Sequence, residues 1–242
     1  MKLNSRRTIL TGLAFLSICA FWQMYDNVIP LILTKTFHMN ETLSGAIMAA
    51  DNILALFLLP FFGARSDKTN TKIGKRMPYI LFGTGCAVIL MNLLPLIDNS
   101  YAAAPSPFKT VSFVIVLGLL LIAMGTYRSP AVALMPDLTP KPLRSRANAI
   151  INLMGAIGGI IYLAVAAALY PNAKIAGLAH VNYQPLFLVV SAVMLVSVAV
   201  LFLTVKEPKL AAETRALEAQ HPEWDLTEDD GSGKEVLPKP VK

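Results

Sequence analysis

Gly63-Ala-Arg-Ser-Asp-Lys-Thr-Asn-Thr-Lys-Ile-Gly-Lys-Arg-Met-Pro78 separates two long apolar runs and sets the fold of the chain. Arg65, Lys68, Lys72, Lys75 and Arg76 put five cations into this stretch. Such a segment cannot lie in hydrocarbon, where charges and unpaired backbone groups are costly. The flanking runs, 43–62 and 78–97, have the ~20 apolar residues that a helix needs to cross a bilayer. The stretch therefore reads as a short loop between two spans.

The same reasoning gives four more spans along the 242 residues: 9–33, 110–134, 147–169 and 185–205. The first follows Lys2, Arg6 and Arg7 and could be mistaken for a secretory signal. No small-residue cleavage site follows it and further spans do, so it reads as a signal-anchor helix. A hydrophobic fraction of 55% and a mean hydropathy of +0.57 agree with a membrane protein rather than a soluble domain.

Basic residues set the expected orientation. Lys2, Arg6 and Arg7, the five cations of the loop, Lys141, Arg144 and Arg146, and Lys206 and Lys209 fall on one side. Only Lys35, Lys109 and Lys174 fall on the other. Both termini are then cytoplasmic, which an even number of spans requires independently. The expectation is an all-α membrane protein with a six-helix bundle over 1–205 and a polar cytoplasmic tail over 206–242. The tail reverses the charge balance: residues 1–205 hold 15 Lys/Arg against 6 Asp/Glu, and residues 206–242 hold 6 against 9. At most a short helix near 209–220 is expected there, followed by solvated chain ending in Glu-Val-Leu-Pro-Lys-Pro-Val-Lys.

This charge pattern argues against nucleic-acid binding, since the cations sit in short loops and not on one face of a soluble fold. Cys19 and Cys86 lie in apolar runs as small buried hydrophobes. His38, His180 and His221 are scattered through loops and tail. No metal-ligand spacing, nucleophile triad or cofactor motif is present, so no enzyme, metal or cofactor is expected. In the fifth span, Gly155 and Gly159 are spaced for close helix approach, either within the bundle or between copies.

Ionisable groups at membrane depth are functional candidates. Asp26 lies in the first span with Gln23 and Asn27 at helical spacing on one face, bordered by Trp22 and Tyr25. A carboxylate, amides and flat rings suit a polyhydroxylated ligand; an interfacial polar cap is the plainer alternative. Asp51, followed by Asn52, lies near the middle of the second span. It suits ion coupling or substrate contact, with a structural ion pair as the alternative. Arg128, in the fourth span, needs a partner or a water-filled cavity. Asp26, Asp51, Asp67 and Asp137 are its candidate partners, and snorkelling to the interface is the alternative.

The loop's Gly63, Asp67, Gly74, Lys75 and Arg76 resemble the loop between the second and third helices of major facilitator superfamily transporters. Its seven-residue gap from Asp67 to Gly74 and its closing Pro78 resemble the glycoside–cation symporter and sucrose-transporter branches. Gly125–Asp137, Arg144-Ser-Arg-Ala-Asn-Ala149 and the small-residue run Gly155–Gly159 are similar to proton-coupled sucrose transporters.

The resemblance implies half of a major facilitator fold, a three-plus-three inverted repeat, with the tail resembling the central loop between halves. It implies plasma-membrane sugar uptake, of the glucoside or disaccharide class, coupled to protons. Gln23, Asp26, Asn27, Trp22 and Arg128 would contact sugar, and Asp51 and Asn52 would serve coupling. Gly63, Asp67, Gly74, Lys75, Arg76, Asp137, Arg144 and Arg146 would form the gating loops. Sodium-using relatives carry carboxylates where this chain has Leu59 and Ala55, which favours the proton. Family members have twelve helices, so the expected states are a homodimer, a pairing with a separately encoded second half, with Asp67 near a helix end or basic group of that half, or a truncated product with no transport activity. The rival expectations are a non-transporting scaffold built on a half-transporter and an exporter of small amphipathic compounds.

Overall fold

A computed structural model describes residues 3–227. Its helices are α1 (Ser5–Leu31, continued by a π turn Ile32–Thr36), α2 (Glu41–Asp67), α3 (Met77–Ala103), α4 (Pro107–Leu138), α5 (Arg144–Leu169), α6 (Asn172–Ile175), α7 (Gln184–Thr204) and α8 (Glu207–Gln220). Short 3-10 turns occupy Lys141–Leu143 and Pro222–Thr227. The six long helices are each apolar and long enough to cross a membrane.

All six expected spans fall on helices, and α1 with its π turn, α2, α3 and α4 run further at both ends, whereas α7 matches its span to within one residue. Hydropathy locates the lipid boundary, whereas a helix continues until a cap or Pro stops it. As a result Gly63 and Asp67 are in the last turn of α2, and Asp137 is in the last turn of α4. The Gly63–Pro78 loop shrinks to residues 68–76. Asp98, just past the expected third span, is enclosed by α3. Asn4 and Asn40 start α1 and α2, each side chain accepting a backbone N–H three residues on.

Pro30 withholds a backbone N–H inside α1, and the helix passes into the π turn just beyond it. The Thr34 hydroxyl donates to the Pro30 carbonyl at 2.8 Å, returning a hydrogen bond to the disturbed turn.

The core lies where α1, α3, α4 and α7 meet, around Phe21, Met24, Tyr25, Met91, Tyr127, Phe187 and Met194. α1 packs most closely on α5. A Cβ at Gly158 would fall on the Leu16 carbonyl of α1, and one at Gly155 would lie 2.8 Å from Cys19 Sγ. The small residues of α5 thus let two backbones approach within the bundle. α3 and α4 cross in the same way at Gly83, where an added Cβ would sit 2.8 Å from the Tyr127 amide nitrogen.

α2 is peripheral. Ser44 and Ser66 are its buried residues, while Ile53, Leu56, Phe57 and Phe61 are all more than 60% exposed. An apolar outer surface of this kind matches hydrocarbon, not water.

The short helix expected near 209–220 is α8. α8 straps the end of the bundle that carries the basic residues. The Arg7 Nη2 donates to the carbonyls of Leu138 (2.9 Å) and Leu210 (3.2 Å). Glu218 Oε1 accepts from the Lys141 backbone N–H and from Arg144 Nη2, both at 3.1 Å. Residues 228–242, and with them the Pro-Lys-Pro ending, lie outside the described residues, as does Lys2.

Candidate functional site

Three helices bring Trp22, Asp51 and Arg128 to one small cavity. It measures about 20 Å³ and is completed by Leu54, Ala55, Leu58, Leu59, Leu121 and Gly125. Each polar member is held by its own helix packing. Tyr127, the residue before Arg128, is fully buried, and its hydroxyl donates to the Ala14 carbonyl of α1 at 3.0 Å and meets the Ser17 hydroxyl. That contact fixes α4 on α1 and presents Arg128 to Trp22. α2 is fixed on α4 by Ser129 Oγ, which donates to the Leu59 carbonyl at 2.7 Å, and by Leu58 lying over Gly125. This sets Asp51 at the cavity.

The Arg128 guanidinium carbon lies 5.3 Å from the centre of the Trp22 ring. A cation over an indole face at this distance is attracted by the ring quadrupole, more strongly where water is excluded. No carboxylate among the described residues reaches ion-pairing distance of Arg128. Asp67 and Asp137, two of its expected partners, are engaged elsewhere, and Asp51 shares its cavity. The Trp22 ring packs edge-on to Phe21 and Tyr25. Trp22 Nε1 and the Tyr25 hydroxyl are both buried with no hydrogen-bond partner, and buried donors of this kind are rarely left unmatched.

The remaining membrane-depth candidates do not line the cavity. Gln23, Asp26 and Asn27 are exposed on α1. Asn27 Nδ2 donates to the Gln23 carbonyl at 2.7 Å, and Gln23 lies beside Gly159 of α5. Asn52 is exposed and donates to Asp51 Oδ1 at 2.8 Å, which orients that carboxylate. At about 20 Å³ the cavity has room for about one water.

The loop residues assemble a second cluster around Arg76, whose side chain is 5% exposed. Arg76 Nε donates to Asp137 Oδ2 at 2.9 Å, its Nη2 pairs with Asp67, and its Nη1 reaches the Gly63 carbonyl at 3.2 Å and the Ser66 hydroxyl. Lys75 Nζ adds Asp137 at 3.0 Å and Asp67 at 3.6 Å. Asp67 therefore meets basic groups of its own chain. Arg144 is drawn to Glu218 on α8, and Arg146 is exposed with no partner among the described residues.

Glu207 completes this cluster and was not among the residues expected from sequence. Its carboxylate is buried and accepts the backbone N–H groups of Lys75 (2.8 Å), Arg76 (2.9 Å) and Met77 (2.8 Å). These amides lead into α3 and open it, Arg76 being its N-cap and Met77 its first residue, and negative charge there is favoured by the helix dipole. Gly74 is needed beside it, since its φ of +121° suits glycine and an added Cβ would fall on the Glu207 carboxylate. The one local signal for Glu207 is a Glu-Pro pair at the start of a helix after a long apolar run.

Comparison with known proteins matches the family model of the Major Facilitator Superfamily to residues 11–237. The sucrose transport protein SUC3 of Arabidopsis thaliana is 34% identical over 141 residues, 52% of this chain and 23% of that protein. The sucrose transport protein SUT3 of Oryza sativa subsp. japonica is 28% identical over 170 residues, 63% of this chain and 33% of that protein. The putative transporter YdfJ of Escherichia coli (strain K12) is 36% identical over 92 residues, 36% of this chain and 20% of that protein. The match thus spans a third or less of the length of each of these relatives.

Proposed function

This chain belongs to the Major Facilitator Superfamily, and on that premise we propose that it takes part in proton-coupled transport of a sugar of the glucoside or disaccharide class. The convergence of Trp22, Asp51 and Arg128 from three helices on one cavity is the observation that carries this reading. Trp22 offers a flat apolar face, with its own N–H and the Tyr25 hydroxyl as unspent donors. Arg128 offers donors only, and Asp51 offers acceptors when ionised. Sugar hydroxyls need both, and a pyranose ring needs an apolar face to lie on. The similarity to two sucrose transport proteins supports the same substrate class.

In this reading Gln23, Asp26 and Asn27 extend the sugar surface, and Asp51, oriented by Asn52, carries the coupling proton. The basic end with α8 faces the cytoplasm of a plasma membrane, and the Arg76 cluster closes that side. A polar face of α1 at membrane depth is costly against lipid. The six-helix unit, built as a three-plus-three inverted repeat, therefore works against a second such unit, a second copy or a separately encoded half, with the sugar between them.

Tryptophan fluorescence tests the sugar surface. Trp22 and Trp224 are the two tryptophans, so Trp224→Phe leaves the site residue as sole reporter. Sucrose or an aryl glucoside is expected to shift its emission saturably, and mannitol at equal concentration is not. An emission unmoved by every glucoside would remove the basis for the sugar assignment.

A further inference from the structure

At the end of the bundle opposite the basic residues, Asp98 of α3 is fully buried, and neither of its carboxylate oxygens has a hydrogen-bond partner. The groups beside it are Thr36, from the π turn that ends α1, and His180, from the connector between α6 and α7. His180 Nε2 lies 3.7 Å from Asp98 Oδ2 and 2.9 Å from Asn99 Oδ1, and its Nδ1 lies 3.4 Å from the Thr36 hydroxyl. Asn99 uses its amide nitrogen on Asn182 Oδ1 at 2.8 Å, which leaves its oxygen toward the imidazole. Nε2 therefore faces two acceptors and must carry a proton, and Nδ1 faces a hydroxyl that accepts equally well. Because a hydroxyl donates as well as accepts, the pocket admits the doubly protonated imidazole as well as the neutral ring.

We propose that Asp98 and His180 form a proton-operated latch that fastens the connector 176–183 over the ends of α1 and α3 and frees it when the pair loses its proton. The other titratable group facing Asp98 is the Tyr183 phenol of the connector, and it brings no positive charge at neutral pH. Lys109 of α4 is occupied by the carbonyls of Ser100 and Ala104, both at 2.8 Å, so it does not reach the carboxylate. His180 is thus the one cation-forming group among the described residues that compensates Asp98.

With a proton held between them, Asp98 has a partner and the connector stays docked through His180 and Asn182. Without it, a buried carboxylate faces a neutral ring and gains by opening to water. The docked form binds the proton more tightly than the open form. Its stability is therefore present at low pH and lost as pH rises through the value of the docked pair.

Hydrogen–deuterium exchange of the purified full chain reads the latch directly, after correction for the intrinsic pH dependence of exchange. The amides of Leu178, Leu186 and Phe187, hydrogen-bonded to the Ile175 and Tyr183 carbonyls, are expected to exchange at least about tenfold more slowly at about pH 5.5 than at about pH 8.5, while the middle of α4 shows no such change. Asp98→Asn, a neutral isostere, is expected to stay protected at both values. His180→Gln, which removes the compensating charge, is expected to be unprotected at about pH 8.5 and to gain little at about pH 5.5. Equal protection of the unmodified chain at both pH values overturns the proposal, as does an undiminished pH step in Asp98→Asn. The latter variant decides the matter even if His180→Gln does not fold.

Discussion

Asp51→Asn is expected to abolish proton-driven accumulation of sugar in membrane vesicles while leaving sugar exchange at equilibrium partly intact. A membrane potential of about 100 mV is worth about 2.3 kcal/mol per charge moved. At about 1.4 kcal/mol per tenfold, that sustains roughly 45-fold accumulation for one proton per sugar. The amide keeps the shape of Asp51 and its contact with Asn52, but it cannot take up and release a proton. The variant should therefore equilibrate sugar to roughly equal concentrations on the two sides. The proposed sugar contacts through Trp22 and Arg128 would remain, which is why exchange is expected to persist. Accumulation unchanged by the substitution would move the coupling role away from Asp51.

The second large effect concerns stability. Arg76→Ala removes one buried guanidinium that engages Asp137, Asp67, the Gly63 carbonyl and the Ser66 hydroxyl. Breaking a buried ion pair from one side strands the other partner, at a cost of about 3–5 kcal/mol. Lys75 stays close to both carboxylates and limits the loss. Arg76→Lys should recover less than half of the deficit, because a point charge cannot replace a planar fork serving several acceptors. Helicity followed through detergent unfolding measures both. A shift below about 0.5 kcal/mol for the alanine variant, a typical surface value, would show that the cluster contributes charge to the membrane surface and little to the fold.

The six spans and the importance of the basic loop were legible because lipid imposes a coarse rule: long apolar runs cross and charged runs do not. Helix pairing was not legible. Core and lipid are both apolar, so the spacing of Leu, Ile and Val in α2 or α7 says little about which side faces a neighbour. Small residues did carry a signal, and the Gly155–Gly159 run lies against α1.

Of the candidate site, the residue types at membrane depth were readable, since each charge there is conspicuous. Their grouping was not. That Trp22 and Arg128 meet depends on how α1 and α4 are rotated, whereas Asn27 turns back on Gln23 within α1, at the spacing the sequence showed. Asp98 escaped notice because hydropathy ended its span one residue too soon, and His180 because its partner lies 82 positions away. Glu207 sits in a segment that reads as polar tail, yet it holds the start of α3.

The central claim is that a sugar and a proton move together between this six-helix unit and a second one. It is tested most directly in membrane vesicles from cells producing the chain, loaded with a pH-sensitive dye and given sucrose outside without any imposed ion gradient. Acidification of the lumen in step with sucrose uptake is the predicted result. Sucrose uptake with no change in lumenal pH would contradict it.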